Sequence, residues 1–358
     1  MAMREGLVQE DIQKILDVAI HAPSGSNSQP WKFIVRGSTI SIIAIPEKDH
    51  PILNYRNRGT WVAHGALIEN IIIAASSYGY EALVGNYFSD GNNQNLVTNI
   101  SLEKKNIAPD TLYPFIQKRT TNRKRYAQTV LTPEQKDALI KEAARGGSEE
   151  VIIIEDPDER KEVAKALAMN EIVMLENRPL HKLFFDEIVW TDSEEKEKKS
   201  GLYLKTMELA LPQEKALNLF RFWPLMRLAN ALGISKKIAE ENSGVYATGA
   251  AMIILPVADK DKSFITAGRM MQRIWLQTHR MDMHGQLITG IFFLHQNLES
   301  PASLLSLTHR ELMRTAYDTI SRIVRIPNGK IVALLLRIGK SDQPSAFSSR
   351  KAADITWA

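Results

Sequence analysis

Cysteine is absent from the 358 residues. That excludes a disulfide scaffold, a thiolate metal site, an iron–sulfur cluster and a cysteine nucleophile. Only eight histidines occur, with no paired spacing that would ligate a metal, so no metal is expected. No apolar run approaches the roughly 18–20 residues of a membrane-crossing helix. The opening Met1-Ala2-Met3-Arg4-Glu5 lacks the apolar core of a secretory signal. Charge of one sign is scarce as well: 45 basic against 41 acidic side chains leave +4, a weak attraction for a polyanion. What is present, 44% hydrophobic and 24% charged residues, excludes a disordered or collagen-like chain. The length suggests about two units. A cytoplasmic protein acting on a small molecule is expected, with neither nucleic acid nor membrane as partner.

The spacing of Ile12, Ile15, Leu16 and Ala19 predicts a helix over Val8–His21. The turn-rich 22–30 stretch follows, then strands at 31–35 and 40–45 around Arg36-Gly37-Ser38. Residues 61–80 predict a buried central helix rich in small side chains, and Asp90-Gly91-Asn92-Asn93 a polar turn. Thr132 as cap and Pro133 at the first position predict a helix over 131–145, followed by a strand at 151–154. Residues 192–199 are charged and solvated, 268–284 form a second long helix, and 331–338 a buried strand. The runs starting at Gly65 and Gly268 share a small residue and an apolar stripe. A helix also precedes a proline-ended strand twice, at 40–45 and 151–154. Either the halves are related or amphipathic helices coincide.

Two stretches can carry chemistry. Ala22–Phe33 sets Pro23, Ser24, Gly25, Ser26, Asn27 and Gln29 between a helix and a strand. The prolines stiffen its ends and Gly25 allows close backbone approach to a ligand. The plain alternative is a connection that needs turn residues. The second is Lys118–Arg125, in which Arg119 and Arg123 are expected on one side of a helix with Thr121 close by. Two guanidiniums and a hydroxyl suit a phosphate; a solvated basic face is the alternative, and a nucleic-acid patch a third that no interleaved aromatics or fold signature support. His279 and His284 suit packing or surface positions better than a substrate contact. The apolar 217–231 segment, punctuated by Arg221 and Arg227, either lies on a membrane surface or packs over the active-site cleft or a groove between the halves, and packing is expected.

Ala22–Phe33 resembles the signature of the flavin-dependent nitroreductase superfamily, and Arg119–Arg123 resembles its phosphate-binding motif. The motifs stand in inverted order, which resembles the double-length, Acg-type branch, where two nitroreductase folds are fused. The resemblance implies an α+β fold duplicated in one chain, an internal version of the usual dimer. Residues 1–110 would form the first half and 111–358 the second, with a lid insertion around 186–240. It implies one FMN per chain: Pro23, Ser24, Gly25, Asn27 and Gln29 come from one half, and Arg119, Thr121, Arg123, Ile288, Thr289, Gly290 and Arg350 from the other. Thr120 stands where relatives often carry a second arginine, and Asp282 where a glycine is common. The activity implied is electron transfer from NADH or NADPH to a small organic acceptor such as a nitroaromatic or quinone. No side chain is needed as nucleophile or base, since the flavin carries the chemistry. The alternative is a non-catalytic protein that sequesters flavin or binds a ligand without cofactor. The chain would be a monomeric pseudo-dimer or form a homo-oligomer.

Overall fold

The computed structural model describes residues 2–88, 95–148, 150–298, 300 and 303–358; the turn expected at 90–93 lies outside the described residues. The chain opens with α1 (Ala2–Ala19), β1 (Trp31–Arg36), β2 (Thr39–Ala44), α2 (Arg58–Ser77), β3 (Tyr80–Val84) and β4 (Leu96–Lys104). In β1 the alternation is direct: Trp31, Phe33 and Val35 are buried, Lys32 and Arg36 exposed. Next come α3 (Pro133–Gly146) and β5 (Ile152–Ile154). Thr132 and Gln135 form a reciprocal cap at the start of α3, with Pro133 at its first position.

A helical insertion follows: α4 (Pro157–Glu176), α5 (Arg178–Glu187), β6 (Ile188–Val189), α6 (Asp192–Lys198), β7 (Leu202–Tyr203), α7 (Leu211–Phe220), α8 (Trp223–Ala231) and α9 (Ile234–Tyr246). The chain closes with β8 (Ala251–Ala258), α10 (Asp261–Arg280), β9 (His284–Ile288), α11 (Gly290–Gln296), α12 (Leu307–Val324), β10 (Lys330–Gly339) and β11 (Ile355–Trp357). Among the described residues no helix is long and apolar enough to cross a membrane. The helix expected over 268–284 thus starts seven residues earlier and ends at Arg280, which places His284 in a strand. Asp282 sits at φ 56°, a left-handed position that ends the helix and that Asp tolerates better than most side chains do.

The fold is α+β, with one sheet ordered β11-β1-β2-β4-β3 and another β5-β8-β10-β9. Leaving β11 aside, each sheet sets its first, second, fourth and third strands side by side, every neighbouring pair antiparallel. In each, a 20-residue helix runs between the second and third strands. This repeat corrects the strand correspondence expected from the prolines. β5 holds the position of β1, not of β2, and β8 holds that of β2. Three isoleucines in a row carry no register signal, so only pairing could assign them.

The two long helices cross at Gly65 and Gly268, equivalent positions in the repeat. A Cβ on Gly65 would stand 2.0 Å from the Ile265 carbonyl oxygen, and one on Gly268 would stand 2.0 Å from that of Val62. Backbone meets backbone here, which only glycine permits. Beside the crossing, buried Arg273 donates to Glu69, Asp110 and Glu142 at 2.6–2.7 Å, joining α10 to α2 and α3. Three carboxylates around one guanidinium keep that charge paired, and Arg269 and Arg145 offset the acidic excess.

Candidate functional site

A cavity of about 520 Å³ opens between the two sheets' connecting segments, a size suited to a cofactor or a drug-sized ligand. Its apolar wall comes from the central helices and their flanks: Val62, Ala63, Met271, Trp275, Leu287 and Phe293. Pro23, Ser24 and Gly25 line it from the α1–β1 loop, and a Cβ on Gly25 would meet nothing within 4 Å. Thr121 and Arg123 line it from the segment before α3, and Thr289 and Gly290 from the β9–α11 turn. Seven of the twelve residues expected at the site therefore share one cavity wall.

The other five stand behind it. Asn27 donates to the carbonyls of Lys199 and Ser349, at 3.3 and 3.0 Å, and Gln29 donates to that of Lys199 at 2.7 Å. Lys351 N–H donates to Gln29 Oε1 at 2.9 Å. These two amides thus fasten the loop to the insertion and to the C-terminal tail. The loop they hold is strained, with Ser26, Asn27 and Gln29 all at positive φ. Ile288 packs against the core of the second sheet. Arg119 is buried, and the half-buried Arg350 is its neighbouring cation. Arg119 lies 4.5 Å over the Trp275 ring and donates to the His21 carbonyl at 2.9 Å. Arg350 donates to the Ser348 and Ser349 carbonyls, both at 3.1 Å.

The expectation that Arg119 and Arg123 share a helix is not met, because no helix spans 119–125. Asn122 prevents one. Its N–H donates to the Gly285 carbonyl, its Oδ1 accepts from Lys124 N–H, and Thr121 bridges to β9. Side-chain and strand-like bonds have taken the donors that a helix would use.

Among the described residues no carboxylate lies within ion-pair distance of Arg119, Arg123 or Arg350. Burial, and then the neighbouring Arg350, holds Arg119 down to about 9, and burial holds Arg350 down to about 10. The Nε–H groups of both are buried without an acceptor. A buried cation with two half-buried cations near it and no ion-pair partner is costly unless an anion completes the group. The arrangement suits the phosphate of FMN, the group the sequence motifs imply.

Sequence reasoning did not single out Lys48, Asp49, Glu187 and Lys351, which also line the cavity. Burial pushes the Asp49 and Glu187 carboxyls above their ordinary range. Glu187 accepts from Ser26 Oγ at 2.5 Å, and Asp49 from Thr60 Oγ1 at 2.5 Å. No local signal marks these residues, since they arrive from three segments distant in sequence: Lys48 and Asp49 from the β2–α2 connection, Glu187 from the end of α5 and Lys351 from the C-terminal tail. Of the insertion expected as a lid, Glu187, Ser200 and Gly201 line the cavity, whereas 217–231 contributes nothing to its lining. The lid expectation for that apolar segment is thereby corrected: its inner face packs on α4, α5 and β6, away from the cavity. His279 and His284 stack edge to face 5.7 Å apart, outside the cavity lining.

Behind Arg123, Tyr246 donates to Glu171 at 2.6 Å. Burial pushes Glu171 from its ordinary 4.5 up to about 7. Between those values the folded chain keeps a proton that the unfolded chain has lost, so this group's contribution to stability falls as pH rises from about 4.5 to about 7. Glu171→Gln keeps the acceptor and removes the titration. Its Tm is expected to exceed the parent's at pH 8 and to match it near pH 4.5, as thermal melts at the two pH values will register.

Residues 4–46 match the nitroreductase family, a span that includes the Pro23–Gln29 loop, so the resemblance drawn from that loop holds. Two Mycobacterium tuberculosis proteins are similar. "Uncharacterized protein MT1398" is 23% identical over 284 residues, 78% of this chain and 38% of that protein. "Putative NAD(P)H nitroreductase MT3217" is 25% identical over 142 residues, 38% of this chain and 40% of that protein. The matches thus span about two fifths of these relatives' lengths. Among solved structures, oxidized iodotyrosine deiodinase bound to FMN and 3-iodo-L-tyrosine is 13% identical, with a TM-score of 0.37, over 67% of this chain and 95% of that one. Nitroreductase A from Vibrio parahaemolyticus is 11% identical, with a TM-score of 0.36, over 68% and 72%.

Proposed function

We propose that the protein is a flavin oxidoreductase that binds one FMN per chain and passes electrons from NADH or NADPH to a small organic acceptor, such as a nitroaromatic or quinone. The observation that carries this reading is the buried Arg119 beside Arg350, the Nε–H groups of both without an acceptor and no carboxylate of the described residues within ion-pair distance, next to a cavity walled by Trp275 and the Pro23–Gly25 loop. Arg119, Arg123 and Arg350 would take the phosphate, as charge-assisted donors to its oxygens. Ser24 and the unpartnered Asn27 Oδ1 would face the ribityl chain or ring edge. The backbone of 288–290 would stand at the side of the ring where negative charge develops on reduction. Bound FMN would supply the hydride chemistry. The apolar wall of Val62, Ala63 and Phe293 would keep water from that face of the cavity.

The test is anaerobic titration of the FMN-loaded protein. One flavin per chain should bind, with absorbance between about 350 and 500 nm that bleaches on adding NADH or NADPH and returns with a quinone. Retained flavin that neither nucleotide bleaches would mark a flavin store, and two flavins per chain would refute the single fused site.

A further inference from the structure

Among the described residues, half of the large apolar side chains that remain exposed lie in one hairpin: Leu211, Leu219, Phe222, Leu225, Leu228 and Leu232. Leu228 is 63% exposed and Leu232 77%. Their positions follow helical spacing from Leu225, so they share the outer side of α8 and its end. Met226 and Ala229 are buried on the inner side, against Leu175, Phe185 and Ile188. The hairpin is therefore docked firmly, and its outer leucines are presented outward whatever the cavity holds. Single exposed apolar residues need no explanation, but a cluster of this kind marks an interaction surface.

Charge distinguishes the occupants. Residues 211–237 contain five cations, Lys215, Arg221, Arg227, Lys236 and Lys237, and one anion, Glu214. Glu240 and Glu241 follow on α9, Glu241 accepting from Gln213 of α7 at 3.4 Å, and with both counted the surface is still net +2. The five cations are exposed, and among the described residues none is in an ion pair. A second copy on a twofold axis would bring this patch against itself, cation facing cation. An anionic surface would meet both features, with leucines entering the apolar boundary and cations facing headgroups.

We infer that the α7–α8 hairpin and the start of α9 form a monotopic docking surface for anionic lipid bilayers, with Leu225, Leu228 and Leu232 inserted and the basic residues at the headgroups. This surface is independent of the flavin reading, and it departs from the sequence-based expectation of no membrane partner.

Vesicle co-sedimentation of the full chain tests it, using phosphatidylcholine vesicles with and without phosphatidylglycerol. Binding is expected at physiological salt for the anionic vesicles alone, and it should weaken in about 1 M salt. Lys236→Glu with Lys237→Glu should reduce it roughly tenfold or more. Leu225→Ser, Leu228→Ser and Leu232→Ser combined should reduce it as strongly. All five positions are exposed, so Tm should hold in both variants. Absence of binding to anionic vesicles overturns the inference. So does binding that the leucine variant retains, since charge alone would then explain it. A concentration-dependent dimer that the leucine variant abolishes also overturns it, by assigning the face to a second copy.

Discussion

Replacing Arg119 by Ala is expected to weaken FMN binding roughly ten- to a hundredfold, the loss of a charge-assisted, bidentate-capable donor. Arg119→Lys should recover part of this, since an ammonium cannot reproduce the planar fork. Riboflavin, which has no phosphate, should bind the parent more weakly than FMN and respond little to either change. The structure adds a control through the apoprotein. Arg119 is a buried cation beside another, stacked on Trp275 and paired with no carboxylate. Arg119→Met keeps most of the side-chain volume over Trp275 and removes the charge, so the apoprotein should be as stable as the parent or more so while FMN affinity falls. Titrations of both ligands and melts of the apoproteins separate the outcomes. Equal losses for riboflavin and FMN, with a lowered apoprotein Tm, would assign Arg119 to the fold. Lys124→Ala should change little, because that side chain reaches the Gln343 carbonyl near the surface.

Gly268→Ala is expected to be strongly destabilising. A Cβ there meets the Val62 carbonyl oxygen at 2.0 Å and its carbon at 2.8 Å. Both belong to the backbone of α2, so no rotamer change relieves the clash. The central helices must separate, and with them the packing that joins the two sheets. A loss of at least about 3 kcal/mol follows, a fall in Tm of roughly 4 °C or more for a chain of this size. Gly65→Ala should have a similar effect. The double variant should lose less than the sum, because one separation of the helices relieves both clashes. Thermal melts of the three variants test this, and strict additivity would mean that the two positions do not share a contact.

Much of the site could be read along the chain because its parts are contiguous. The Pro23–Gln29 loop and the 119–123 motif each carry their donors within a few residues, and the structure brings Ser24, Gly25, Thr121, Arg123, Thr289 and Gly290 to one cavity. The helix assumed for 119–123 was an inference from spacing alone, and Asn122 overrode it by diverting backbone donors to β9. The proximity of Arg119 to Arg350 depends on the C-terminal tail crossing to pair β11 with β1, Phe33 opposite Ile355. Nothing within either segment encodes that crossing.

By itself the sequence determined what short-range physics controls. Examples are the capped start of α3, the inside–outside alternation of β1, the glycines able to bring two helices into backbone contact, and the absence of thiol chemistry. Only the tertiary structure decided that β5 stands where β1 does, that two arginines distant in sequence are neighbours, and that the leucines of α8 face outward rather than over the cavity. Local propensity and periodicity act over a few residues and specify which side of an element is apolar. What covers that side is decided by strand pairing and helix packing between distant segments, and burial, charge pairing and exposure follow from those contacts.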